Sequence, residues 1–451
     1  MVCLDHSPSS KIRTHTPTGK TVQQADYHKK IDELVDKVES KVIEWRHDIH
    51  QHPELANREF RTAKLIADHL RSLNFDEVKE KIGVTGVVGV LKGGKPGKVF
   101  GLRADFDALP VKEEVDVPFA SKVVDEDYPG GAVPVMHACG HDNHAAMLMG
   151  AAEVLANMRE QIPGTVKFIF QPAEEGPPVD EDGGANMMIK EGALENPKPD
   201  CVFGMHVGPY PNGTVLYGTP NSMSASELIQ IEIFGKQVHG STPWMGLDPM
   251  PVAAEIITAL GQIYRQIDTV DPITISIGHV IDQGRFNIIG EKITLFGTTR
   301  CVHQPMMDKV NLRIDRITTN VAQAHGLTAK ATFKQQVCPL INKPEWVDKF
   351  LPSIERVIGH DKIYQNEPML GYDDVSEFIR IAGGMYVFLG VQDTTFGDSK
   401  PGEEVDFTKM KPTSEKGIGM NHGGKFYCND ENLKIGVKLH ANVVMDFLSN
   451  N

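Results

Sequence analysis

The sequence predicts an α/β fold, a mixed sheet layered with helices and interrupted by an inserted β-α-β-β-α-β unit. Two observations predict it. Apolar, glycine-punctuated strands alternate with helical segments along most of the chain, the pattern of a layered α/β structure. The texture changes near Ser224, where strands and helices follow one another in an order that makes a small sheet of its own.

In chain order, residues 1–24 are polar and rich in Ser, Thr and Pro, and are predicted to be a flexible extension. From Tyr27, the residues Ile31, Leu34, Val35, Val38, Val42 and Trp45 recur at helical spacing. GVVGVL (86–91), VFGL (99–102) and TVKFIFQ (165–171) read as strands, with an Ala- and Met-rich helix at about 144–159 between the last two. These belong to the first part of a main domain, residues 25–222. The inserted unit is placed at 223–337. It holds the strand ELIQIEIFGK, a helix from Asp248 to Ile267, the strands ITISIGHVI and KITLFGTTR, a helix over 306–324 and the strand ATFKQQV. Residues 338–451 resume the alternation and complete the main domain.

The chain has 451 residues, enough for a large core and more than one domain. Lys and Arg number 46 against 60 Asp and Glu, a formal charge of −14. An acidic chain without a basic block is a poor partner for nucleic acid or for anionic membranes, since both need clustered Lys and Arg. No apolar run approaches a membrane span, and the amino-terminal stretch lacks the apolar run of a signal peptide. Six scattered cysteines show no disulfide-scaffold spacing. A cytoplasmic protein with reduced thiols is expected.

The sharpest local signal is VMHACGHDNHAAM (135–147), with three histidines, a cysteine and an aspartate just before a helix. Thiolate, imidazole and carboxylate are donors for zinc and other divalent first-row ions. The alternative is a helix start capped by Asp142, with exposed histidines. Glu174 and Glu175 follow the TVKFIFQ strand. In extended backbone their side chains point to opposite sides, so one could ligate a metal while the other carries a proton. The alternative is a solvated acidic loop. His206 ends the strand-like CVFGMHV, and His422 stands among glycines in GMNHGGKF. Singly each is an ordinary histidine. Together Cys139, His141, Glu175, His206 and His422 are donors enough for two divalent ions.

Several ordered motifs then carry a resemblance. RHDIHQHPELANREFRTA (46–63), LRADFDALP (102–110), MHACGHDNHAAMLMGAA (136–152), QPAEEG (171–176), GMHVGPYPNG (204–213), GKQVHGSTP (235–243), GTTR (297–300) and NHGGKF stand in order. From about Trp45 to Phe447 the chain resembles the di-metal peptidase and amidohydrolase family of aminoacylases, in its hippurate hydrolase and indoleacetyl-amino-acid hydrolase branch. The resemblance implies a mixed-sheet di-metal hydrolase domain whose insert is a lid and dimerisation domain. It places Cys139, His141, Glu175, His206 and His422 on metal ligands for two divalent ions per subunit, manganese or alternatively zinc. Glu174 falls on the general base and His239 on a lid histidine that contacts the tetrahedral oxyanion, often from the neighbouring subunit. Asn287 and Arg300 fall near positions that hold the substrate's carboxylate, the alternative for Arg300 being a strand-end salt bridge.

Asp105 and Asp107 are expected to orient ligands rather than to be ligands. His50 and His52 are expected to be structural. Trp244, the 177–182 insertion and the missing proline after Asn287 depart from the family pattern, and Asp373 replaces its usual glutamate. The implied activity is metal-dependent cleavage of the amide of N-acyl-L-amino acids, arylacyl conjugates among them, in a cytoplasmic homodimer. Two alternatives stand beside it: a deacetylase of N-acetylated diamino acids, and a catalytically silent binding protein on the same fold.

Overall fold

The computed structural model describes residues 26–128, 131–268 and 271–450. The predicted extension at 1–24 lies outside them. The chain opens with helices α1 (Asp26–Gln51) and α2 (Phe60–Ser72), and then lays down strands β1 (Glu77–Ile82), β2 (Gly86–Lys92) and β3 (Lys95–Asp105). Helix α3 (His141–Ala156), β4 (Pro163–Gln171), α4 (Gly184–Lys190), β5 (Cys201–Pro211) and β6 (Val215–Tyr217) follow. It next builds β7 (Ala225–Phe234), α5 (Pro249–Leu260), β8 (Ile273–Asp282), β9 (Lys292–Cys301), α6 (Gln304–Ala324) and β10 (Thr328–Val337). It returns with α7 (Pro344–Ile358), β11 (Ile363–Gln365), α8 (Val375–Ala382), β12 (Gly384–Gln392) and α9 (Leu433–Ser449).

Eight strands form the main sheet in the order β1-β2-β4-β3-β5-β12-β6-β11. The central neighbours β4, β3, β5 and β12 are parallel, while β1, β2 and β4 pair antiparallel, so the sheet is mixed as predicted. Its central strands are apolar on both faces, as a sheet covered by helices requires; every residue of β12 is buried. The four-stranded sheet has the order β8-β9-β7-β10. In β7, Ile229, Ile231 and Ile233 are fully buried against α5 and α6, while Gln230 and Glu232 face the other way. Each such isoleucine contributes about 1.5–3 kcal/mol on burial. These residues, with Val252, Ile256, Val310 and Ile314, make an apolar core drawn wholly from residues 225–327. The helix expected over 248–267 is shorter: α5 stops at Leu260, Gly261 follows, and a separate single turn covers Ile263–Arg265. Asp248 caps α5, its carboxylate accepting from the Met250 N–H.

Asp446 on α9 ties the helical layer together. It accepts hydrogen bonds from the Tyr27 hydroxyl at 2.8 Å, from Ser353 and from the Arg356 guanidinium, with His28 Nε2 at 2.7 Å. Burial alone would raise this carboxyl, but His28, Ser353 and Arg356 outweigh it and hold the group below its usual 3.8. A carboxylate lowered in the folded state stabilises the fold fully above its unfolded pKa and loses that contribution as pH falls through the folded value. Acid unfolding of the wild type is therefore expected to steepen below about pH 4. Thermal melts of Asp446→Asn across that range should show a lower melting temperature at neutral pH and a shallower acid limb.

Candidate metal centre

The centre lies where β3, β4 and β5 deliver their loops to the start of α3. Gly140 precedes that helix at φ +90°, and a Cβ there would sit 2.4 Å from Val207 Cγ2, so only glycine fits between Cys139 and His141. His141 is completely buried. Its Nδ1 lies 3.0 Å from Asp107 Oδ1, which turns Nε2 toward the cluster, where it has no hydrogen-bond partner. Around that nitrogen stand Glu174 Oε2 at 3.8 Å and Glu175 Oε1 at 3.9 Å. Cys139 Sγ is 3.3 Å from His206 Nε2. His422 Nε2 is 3.0 Å from Glu175 Oε1, an oxygen that is buried and otherwise unsatisfied.

Among the groups of donors whose ligand atoms lie within 4.8 Å of one another, two are made wholly of these five residues: Cys139, His141 and His206, and Cys139, Glu175 and His422. The thiol is common to both. Five donors, a thiol, three imidazoles and a carboxylate, converge, and among the described residues the buried Nε2 of His141 has no hydrogen-bond partner. Such a set fits divalent first-row ions.

The electrostatics match. Burial, then Glu175 and Glu174, push the Cys139 thiol well above its usual range. Burial, then Asp373, Glu175 and Asp374, raise the Glu174 carboxyl well above the carboxylate range. Burial would lower His141, but Asp105 and Asp107 outweigh it and push it up to about 10. A crowd of carboxylates around a thiol calls for cations.

The alternatives raised by the sequence do not occur here. Asp142 does not cap α3; it is buried and accepts from Arg46 Nε and pairs with His50 Nδ1, both at 2.9 Å. His50 also meets Glu113 at 2.9 Å, so it is structural, whereas His52 is exposed. Glu174 is buried, not solvated. The two glutamates also do not point to opposite sides. β4 ends at Gln171, Ala173 adopts φ +52°, and the turn brings both carboxylates onto His141.

Around the donors stand positioning groups. Besides holding His141, Asp107 accepts from the Glu175 N–H at 3.0 Å. Asp105 pairs with His144 Nδ1, whose Nε2 accepts from the Val207 N–H at 2.8 Å. His144 is thus fully occupied, while both ring nitrogens of buried His137 lack partners. Arg103 is buried and pairs with Asp105, Asp373 and Asp374. Asn421, unremarked in the sequence, donates to the carbonyls of Cys139 at 3.1 Å and Val207 at 3.3 Å, and so anchors the loop of His422, itself at φ +67°.

Arg300 reaches the same region from β9 and, with Glu174, Glu175 and Tyr372, lines a cleft of about 700 Å³. It makes no salt bridge among the described residues and instead lies over the Tyr372 ring. His239 and Asn287 are elsewhere. His239 is exposed and its Nδ1 pairs with Ser241 Oγ at 2.7 Å, and the Asn287 carbonyl accepts from the Gly240 N–H at 2.9 Å. The two are neighbours on one tip, and no hydrogen bond or ion pair among the described residues joins either to the cluster. No helix among the described residues is long and apolar enough to cross a membrane.

The pattern of peptidase family M20/M25/M40 matches residues 101–416. Thermostable carboxypeptidase 2 of Saccharolobus solfataricus is 37% identical over 94% of this chain and 99% of its own. Hippurate hydrolase of Campylobacter jejuni is 36% identical over 76% of this chain and 86% of its own. Among solved structures, a dinuclear metal-binding peptidase of the M20 family from Bacillus subtilis is 26% identical and superposes with a TM-score of 0.68 over 92% of this chain and 100% of that one. The chain belongs to peptidase family M20/M25/M40 and is a hydrolase of amide bonds.

Proposed function

We propose that this chain cleaves the amide of N-acyl-L-amino acids, with arylacyl groups such as benzoyl and indoleacetyl within its range. Two divalent ions, manganese or zinc, are held in this reading by Cys139, His141, Glu175, His206 and His422. The observation that carries it is the thiol shared between two donor sets, with the Glu174 carboxylate alongside both. Ions bound there would polarise an amide carbonyl and make water more acidic. Glu174 takes the proton of the attacking water and returns it to the leaving amine, a task suited to a carboxylate kept from solvent. Arg300 holds the carboxylate of the amino-acid half, for which its planar fork is suited.

The segment 223–337 acts as a lid between the main-domain parts 25–222 and 338–451. His239 and Asn287 serve a neighbouring copy in a homodimer built through that lid. Supporting this, His239 is exposed with half-buried Asn287 beside it, and the edge strand β8 presents Val280 and Ile281 to solvent. The five described cysteines are free, in keeping with a cytoplasmic protein.

The reading is tested by a panel of N-acyl amino acids offered to the metal-loaded protein. Benzoylglycine and indoleacetyl-amino acids should be cleaved with a higher kcat/KM than N-acetyl-diamino acids. Turnover confined to the acetylated diamino acids would transfer the enzyme to the deacetylase alternative, and none at all would end the hydrolytic reading.

A further inference from the structure

Arg300 makes no ion pair among the described residues, although Glu174 and Glu175 line the same cleft. Among the described residues its side chain is half-buried, its Nη1 is buried with no hydrogen-bond partner, and no carboxylate lies within ion-pair distance. Leaving a guanidinium in that state is costly unless something compensates it. The protein supplies a ring: Arg300 Cζ lies 4.3 Å from the centroid of Tyr372.

The two residues come from different layers. Arg300 sits near the end of β9, opposite Ser226 of β7, and Tyr372 lies in the loop before α8, a helix packed against the main sheet. Tyr372 is fixed in turn, since its hydroxyl donates to the Glu174 carbonyl oxygen at 3.3 Å.

A carboxylate partner would occupy the N–H edge of the guanidinium. A ring under Cζ leaves N–H groups available, Nη1 among them, so the arginine is held in place yet still able to bond an incoming carboxylate.

We propose that Tyr372 is a positioning residue whose ring holds Arg300 in place for the α-carboxylate of the substrate, and that this pair makes the enzyme prefer free-acid over carboxamide substrates. The inference rests on the N-acyl amino acid reading above, and its test does not need turnover.

The probes are 3-benzoylpropionate, which is benzoylglycine with CH2 in place of NH and cannot be cleaved there, and its carboxamide. Calorimetry with the full metal-loaded chain should show the acid bound more tightly than the amide. Tyr372→Leu should weaken the acid about fivefold and leave the amide unchanged. Tyr372→Phe, which keeps the ring, should retain the preference. Tyr372→Gln is a second ring-removing variant should the leucine protein not fold. In an Arg300→Ala background, removing the ring should change nothing further.

Equal affinity of the wild type for acid and amide would overturn the proposal. So would an equal loss for both probes on removing the ring, or a phenylalanine variant that behaves like leucine. Cleavage of benzoylglycine, followed separately, reports on the functional reading. Acid preference without cleavage would sink that reading alone, and cleavage without acid preference would sink this inference alone.

Discussion

Replacing Glu174 with glutamine is expected to lower kcat by about a thousandfold while the protein keeps its metal ions and its fold. The substitution preserves the side chain's size and removes only its ability to accept and release a proton. Cys139, His141, Glu175, His206 and His422 all remain, so ion content by elemental analysis should match the wild type. KM should change little, because Glu174 acts on the water rather than on the substrate's carboxylate. Burial and its acidic neighbours raise this carboxyl well above its usual range in the metal-free protein. Nearby cations favour the carboxylate form, so the base becomes competent when the centre is filled. Steady-state kinetics on benzoylglycine measure the effect. A variant with more than a tenth of wild-type turnover would remove Glu174 from the chemistry.

The second large effect concerns the shared thiol. Cys139→Ala takes one donor from both sets, so both ions should be lost together, whereas His206→Ala should weaken only one. The affinity loss is expected to be roughly a hundredfold or more, since losing even a hydrogen-bond partner of a ligand costs about 10- to 100-fold. Burial pushes the thiol up, so an arriving ion must displace its proton. Uptake should therefore be tighter at alkaline than at acidic pH in the wild type. Competition titrations against a chelator read both effects. Loss of one ion only from Cys139→Ala would show that the sulfur does not bridge.

Much of this site was legible in the sequence because its donors sit at ends of strongly patterned elements. The apolar runs before Glu174 and His206, and the glycines beside His141 and His422, mark strand ends and close approaches. What could not be read was set by distant partners. Asp142 had the right place for a cap, but Arg46 and His50 on α1 claim its carboxylate from about 90 residues earlier. The opposite orientation expected of Glu174 and Glu175 fails because the strand stops three residues too soon and Ala173 turns the chain. Tyr372 had no local signal at all, since its importance comes from an arginine on a strand of the four-stranded sheet, distant in sequence. His239 and Asn287 were recognisable by motif. Their meeting on one tip depends on the short pairing of Val238–His239 with Ile288–Ile289, which no periodicity announces.

The most direct measurement is a reconstitution. Metal-free protein is titrated with manganese or zinc while bound metal and cleavage of benzoylglycine are followed in the same samples. The account predicts two ions per chain, no cleavage in the metal-free protein, and turnover that rises as the shared centre fills. Full turnover by protein shown to hold no metal would contradict it.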